Sequence, residues 1–207
     1  MIVNHKFRGS SVQPGPTPPT PVDNSKVIFY KTSDGKPIET DMPNLVSNTY
    51  TTFGKMVFSE PVTAITPEAF AGEEIQTFNI PDSVVEVGRN SFQGCQYLTS
   101  VKIGSGVTVI DAAAFWGCIR LQRIVIPDNV INILGGAFFD CTSLSSATIG
   151  SGVTTIGDEV FNGCLNLSTI NYRGTMQQWN AITKGTDWNK HVPAEVVHCT
   201  DGDIYLN

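Results

Sequence analysis

The sequence is poor in charge, in histidine and in long apolar runs, and each shortage excludes something. Charged residues make up only 15% of the 207 positions, and the net charge is -6 with a pI near 4.9. A nucleic-acid binder concentrates Lys and Arg on one face to neutralise phosphates, and no such run exists here, so nucleic acid is set aside as a partner. No apolar stretch approaches the roughly 20 residues that span a bilayer, so no membrane span is expected. The first residues, Met1 to Val12, lack the apolar core of a secretory signal. Either a leader has been trimmed or the chain reaches its place of work by another route. Three histidines leave little material for metal or acid–base chemistry.

What the sequence has instead is a period. Cys95, Cys118, Cys141 and Cys164 are each 23 residues apart. The same interval separates Phe92, Phe115, Phe138 and Phe161, and again Leu98, Leu121, Leu144 and Leu167. Ile80, Ile103, Ile126 and Ile149 keep it, as do Val84, Val107, Val130 and Val153, and Val87, Ile110, Ile133 and Ile156. Six columns in register define a repeat architecture. A looser copy, one residue shorter, runs from Phe53 through Val62, Ile65 and Phe70 to Glu73, and reads as the first rung. Within a unit, Leu98 to Ile103 has the apolar spacing of a short strand. Its end is punctuated alternately by Ile-Pro-Asp-Ser/Asn-Val and Ile-Gly-Ser-Gly-Val. Phe115 and Cys118, at i and i+3, would share one face of a single helical turn. One 23-residue unit cannot bury enough apolar surface to offset its ordering entropy, so the rungs must stack and share their columns.

These residues resemble the BspA-like leucine-rich repeats, with the pattern L-x-x-V/I-x-I-P/G-x-x-V-x-x-I-x-x-x-A-F-x-x-C, over about residues 53–170. The resemblance implies a repeat solenoid: a β-strand plus a short helical turn per 23-residue unit, with an N-terminal hairpin cap and a mixed C-terminal cap. Lys26 to Tyr30 followed by Thr32 to Ile38, with Asp34-Gly35 as turn, looks like the family's N-terminal hairpin, and residues 26–52 are assigned to that cap. Asn171 to Trp179, Asp187-Trp188 and Val197 to Gly202 look like the C-terminal cap, residues 171–207. Thr175 is a good N-cap for a helix bearing Trp179 and Ile182. About five units fill the interval between the caps. Glu73 in the cysteine column, Asp140 in a small-residue position and Ala147 among Val and Ile depart from the pattern.

Residues 1–25 form a separate segment. Val12 to Ser25 holds Pro14, Pro16, Pro18, Pro19 and Pro21. Polyproline II geometry at ~3.1 Å per residue makes it a spacer of roughly 40 Å. Ahead of it, Phe7 and Arg8 lie in a peptide too short to fold alone. It is either a tail or a docking peptide through which residues 1–12 bind a scaffold protein.

Catalytic and metal chemistry find little support. His191, His198 and Cys199 lack a further ligand at tetrahedral spacing, so no metal and no cofactor are expected. A Cys–His nucleophile would need an orienting group and an oxyanion pocket, and nothing proposes either. The four repeat cysteines read as small buried apolar groups, too poorly oriented for disulfides between rungs. Glu73-Glu74, Asp158-Glu159 and Asp201/Asp203 read as solvated acids. Gly104-Ser105-Gly106 is a turn rather than a phosphate loop, for no lysine follows it.

The expected work is therefore binding rather than catalysis. The chain reads as an adhesion module displayed on a bacterial surface that recognises a protein or a glycan. The alternative is an architectural decoration or fibre protein of a virion or envelope, docked through its first residues. On the strand side the outward columns are small and polar, with Lys102, Arg123 and Val125 as the exceptions. The column after the buried phenylalanine reads Gln93, Trp116, Phe139, Asn162, which should set Trp116 and Phe139 side by side about one rung, ~5 Å, apart. They are either a contact patch or lids leaning over the gap between rungs.

Overall fold

The computed structural model describes residues 24–206. The expected docking residues Phe7 and Arg8, and the proline run through Pro21, lie outside them. In chain order the elements are β1 (Val27–Thr32), β2 (Leu45–Tyr50), β3 (Gly54–Phe58), β4 (Ala64–Ile65), β5 (Ile75–Asn79), β6 (Glu86–Val87), β7 (Ser100–Lys102), β8 (Val109–Ile110) and β9 (Arg123–Val125). There follow β10 (Asn132–Ile133), β11 (Ser146–Ile149), β12 (Thr155–Ile156), β13 (Thr169–Tyr172), α1 (Met176–Ala181), β14 (Thr183–Lys184), β15 (Val196–Cys199) and β16 (Gly202–Tyr205). The chain winds as a solenoid of six turns. Each turn gives a two-residue strand to one parallel sheet, in the order β14-β12-β10-β8-β6-β4. The longer strands β5, β7, β9, β11, β13 and β15 succeed one another along the opposite face, with β9 beside β7.

Between the two faces the columns read from the sequence are the core. Phe92, Phe115, Phe138 and Phe161 are fully buried, as are the four cysteines and Leu98, Leu121, Leu144 and Leu167. Successive phenylalanine rings are 5.1, 5.3 and 5.5 Å apart and within 10° of parallel. The repeat imposes this stack, since side chains one rung apart leave equivalent backbone in the same direction. The thiols are bonded too. Cys118 Sγ–H donates to the carbonyl of Phe92, Cys141 to that of Phe115 and Cys164 to that of Phe138, each at 3.2 Å. All five cysteines are free.

The expected helical turn is not a helix. In the segment before each cysteine the backbone N–H groups alternate between two kinds of partner. Those of Ser91, Gln93 and Cys95 reach back three residues, to Gly88, Asn90 and Phe92, while those of Asn90, Phe92 and Gly94 donate to Ala112, Ala114 and Trp116 of the next rung. An α-helix would consume all of them internally. Left-handed residues placed four apart, such as Asn90 (φ 57°) and Gly94 (φ 70°), turn alternate groups outward and make the ladder possible. The alternation of proline and glycine turns also has a steric cause. A Cβ on Gly104 would lie 2.2 Å from the Pro81 carbonyl oxygen, and one on Gly150 would lie 2.3 Å from that of Pro127. The Asp after each proline accepts the N–H of the serine after that glycine, Asp82 from Ser105 and Asp128 from Ser151.

The two ends differ from the sequence reading. Asp34-Gly35 does not close a hairpin between adjacent segments. The strand β1 pairs antiparallel with β3 on one edge and with β5 on the other, so residues 36–38 have no edge left to join. Ile38 is buried instead, and its N–H donates to the Tyr30 hydroxyl at 3.3 Å. The hairpin is β2–β3, and Phe53 sits in its turn, 57% exposed. Phe53 therefore heads no rung, and the first turn begins beyond Pro61. Ser25, read as linker, is tied to the fold, for its carbonyl accepts the Val62 N–H at 2.7 Å. Beyond Ile170 the chain does not leave the repeat but completes a sixth, enlarged turn. The N–H of Phe161 donates to Trp188, Ala194 donates to Leu167, and Ile170 pairs with Val197, each 27 residues apart. The helix α1 occupies the detour. Thr175 Oγ1 accepts the Gln178 N–H and Gln178 Oε1 accepts the Thr175 N–H, a reciprocal box that starts it as expected.

Candidate functional site

The candidate residues fall on two faces. On the strand face, alternation sends Val101 and Ile124 inward and leaves Lys102, Arg123 and Val125 outward. Val125 is 48% exposed. It occupies in β9 the position that Lys102 holds in β7, one repeat earlier, and Arg123 lies in the neighbouring row. The hydroxyls of Thr99 and Ser145 turn onto carbonyls of the preceding rung, Gln76 and Gln122, so part of this polar surface stitches the rungs together.

Trp116 and Phe139 meet on the turn face as their spacing required. Their ring centroids are 4.9 Å apart at 48°. Trp116 is 41% exposed while Phe139 is half-buried, so the pair covers the rung boundary and still offers the indole to solvent. The column ends in polar residues. Asn162 is buried, donating to Glu159 and facing His191 Nδ1 at 3.1 Å. Sequence reasoning missed two exposed apolar side chains, Ile119 and Leu165, 39% and 59% exposed. Both belong to the column just after the cysteine, whose other members Gln96 and Thr142 are polar, and that contrast was the available signal. Tyr97 was also overlooked, with the Arg120 guanidinium 5.0 Å over its ring.

The groups that could do chemistry are engaged in structure. Burial pushes the thiols of Cys95 and Cys164 up to about 12 and those of Cys118 and Cys141 well above their ordinary value, which leaves them protonated and poorly nucleophilic. His198 Nδ1 faces Asp203 at 2.9 Å. Asp201 accepts the Met176 N–H at the start of α1, and Asp158 accepts that of Thr186. Among the described residues no three His, Cys, Asp or Glu side chains are grouped to hold a metal, and no helix is long and apolar enough to cross a membrane.

Comparison with known proteins agrees with this architecture. Residues 63–182 match the family described as BspA type leucine rich repeat region, in 6 copies. Among solved structures, a leucine rich cell surface protein from Faecalibacterium prausnitzii A2-165 is 36% identical, with a TM-score of 0.57. The alignment covers 61% of this chain and 34% of that one, so the chain spans about a third of its length. The leucine rich repeat protein of T. pallidum is 23% identical over 65% of this chain and 72% of its own, with a TM-score of 0.46. No curated protein matches. With six copies of the motif filling the solenoid, the chain belongs to the BspA-type leucine-rich repeat family.

Proposed function

We propose that the chain is a recognition module displayed at a bacterial cell surface, and that Trp116 and Phe139 form its contact with a protein partner. Leucine-rich repeats of this type are non-catalytic scaffolds for protein binding or adhesion. One observation carries the finer reading. Trp116 stands 41% exposed against Phe139, where the repeat demands only a surface residue. Exposed aromatic clusters are favoured anchors for protein contacts. Display at a surface is supported by the Faecalibacterium cell surface protein, the relative with the higher identity of the two described. In this reading the residues ahead of Asn24 supply a tether, and residues 24–58 and the enlarged sixth turn close the ends of the stack.

The test is a double substitution, Trp116→Ala with Phe139→Ala. Beads coated with either protein are scored for adhesion to immobilised extracellular-matrix proteins and to an oligosaccharide array, beside thermal melting. The proposal requires adhesion to protein to be lost at nearly unchanged melting temperature. Early unfolding with normal adhesion would make the pair a lid on the core and move the contact elsewhere. Adhesion confined to the sugars would replace the protein partner with a glycan.

A further inference from the structure

The chain is acidic overall, yet its strand face is not. Following the ladder partners across the two sheets of this face, with β9 beside β7 where they meet, gives two outward rows. One runs Lys55, Phe29, Asn79, Lys102, then Val125, Thr148, Asn171, His198 and Asp203. The other contains Lys31, Thr77 and Ser100, then Arg123, Ser146 and Thr169. Lys31, Lys55, Lys102 and Arg123 are all exposed, and none of them forms an ion pair among the described residues. The carboxylates near this face lie at its end and margins. Asp203 holds His198 at the far end, and Glu74 takes the Ser33 hydroxyl at one margin. At the other margin Asp82 and Asp128 accept N–H groups of the next rung. Asp82 is held below the usual carboxylate range first by that Ser105 N–H, with Lys102 adding a smaller attraction. Along both rows from β3 to β9 the charged side chains are thus these four cations, on a protein of net charge -6.

The same face has an apolar component. Phe29 and Val125 are 43% and 48% exposed on either side of Lys102. Between Phe29 and Lys102 lies a hollow of about 180 Å³ lined by Val27, Ile80 and Pro81 together with Asn24, Asn79 and the Asp82 carboxylate. We propose that the strand face binds an extended acidic peptide segment of a partner protein. Its carboxylates pair with Lys102, Arg123 and the lysines of β1 and β3, and one of its apolar side chains seats in the hollow beside Lys102. Charge complementarity selects an anionic ligand and governs the encounter. The hollow selects peptide over acidic polysaccharide, because a uronate chain has no side chain to seat there. This inference rests on the chain being a binding module but not on the aromatic pair, which lies on the other face.

The experiment uses the full chain and fluorescein-labelled peptides in anisotropy titrations up to millimolar protein. The probe is a twelve-residue peptide of Glu and Gly with a central Leu. Its controls carry Gln for Glu or Gly for Leu, and oligogalacturonate serves as competitor. The acidic probe is expected to bind at about 50 mM salt and to weaken several-fold at about 300 mM, where charges are screened over a shorter distance. Loss of the Leu should weaken it, and the Gln probe should not bind. Lys102→Glu with Arg123→Glu, both exposed and so free to fold, should weaken the acidic probe at least tenfold. Binding that survives this reversal, or that is absent from the unaltered chain, overturns the proposal. Oligogalacturonate that displaces the probe, with the Leu making no difference, would assign the face to a polysaccharide and overturn it equally. Trp116→Ala with Phe139→Ala should bind the probe normally, so failure of the aromatic contact and failure of this face read out separately.

Discussion

The middle of the solenoid and its two ends solve the same problem by different means. In the middle, Phe92, Phe115, Phe138 and Phe161 lie within 10° of parallel, because each rung repeats its neighbour. At the ends the rings turn. Phe78 meets Phe92 at 72°, and Trp188 meets Phe161 at 74°. The strand face behaves in the same way, parallel from β5 to β15 and closed by antiparallel β1 and β16. A parallel stack can always accept another rung, so stopping it requires a change of direction that leaves no matching edge. Regularity supplies cohesion, and irregularity supplies the limit.

Breaking the middle should cost most. Phe115→Ala removes a ring stacked on both sides and is expected to lose about 3–5 kcal/mol. Because rungs contact only neighbours, it should also split urea unfolding into two transitions as the halves uncouple. Trp179→Ala strikes the C-terminal end, where the indole is buried against Tyr172 and Trp188 and lies under the Lys184 ammonium. Its cost should be similar, but unfolding should remain a single transition at a lower urea midpoint. Two transitions in the end variant, or one in the middle variant, would remove the distinction between the regions.

The same contrast explains what was legible in the sequence. Columns that recur every 23 residues announced themselves, and Phe115, Cys118, Leu121 and Ile126 are buried as the period required. The turn before Cys118 was misjudged as helical because i, i+3 spacing does not distinguish a helix from tight turns whose N–H groups alternate between rungs. That difference resides in φ, at Ala113 (56°) and Gly117 (69°), which spacing does not record. The ends were misjudged because they do not repeat. Phe53 fitted the column by type and distance, yet the hairpin β2–β3 carries it into solvent. Trp188, Ala194 and Val197 belong to a sixth rung concealed by the insertion of α1. At the candidate site, the proximity of Trp116 and Phe139 followed from the period, whereas the cationic strand face did not. Seeing it required knowing that β3, β1 and β5 lie in one sheet with β7, which puts Lys55 and Lys31 on the face that carries Lys102.

A smaller effect is expected from Cys118→Ser. The serine hydroxyl inherits the Phe92 carbonyl as partner, so the cost should be about 1–2 kcal/mol, that of placing a more polar and less bulky group in an apolar column. The thiols also sharpen the comparison by reactivity. Burial raises the four repeat thiols furthest, and nucleophilic attack requires the thiolate. In the folded protein near pH 8, a disulfide reagent should therefore modify Cys199, which is half-buried, and spare the others. In denaturant all five react. Rapid modification of more than one thiol without denaturant would show that the rungs open readily.

At the N-terminal end the test is where the fold begins. Ser25 O accepts the Val62 N–H at 2.7 Å, and Lys26 Nζ reaches Ser59 O. Deleting residues 1–22 should leave the melting temperature within about 1 °C. Deleting residues 1–25 should cost roughly 1 kcal/mol, a fall of about 2–4 °C in a chain of this size. Equal melting of the two truncations would show that Ser25 adds nothing.

The smallest effect concerns the left-handed positions that make the ladder possible, which glycine fills in some rungs and residues with a Cβ in others. Glu68 holds φ 62° on the surface, its N–H donating to Arg89 O, where a later rung has Gly136 at φ 64°. A Cβ in that conformation costs about 1–2 kcal/mol, and glycine's freedom in the unfolded chain returns ~0.4–1 kcal/mol of that. Glu68→Gly should therefore stabilise by about 0.5 kcal/mol. Gly94, at φ 70°, is the converse case. A Cβ there would approach nothing nearer than Gly72 Cα at 4.0 Å, so Gly94→Ala isolates the backbone term without a clash. It should destabilise by about 0.5–1 kcal/mol, the same terms with the opposite sign. Urea midpoints of the two variants, compared at equal slope, check the pair. A shift in the same direction for both would mean that the rung's turn tolerates any residue, and that its left-handed positions are a consequence of stacking rather than a condition for it.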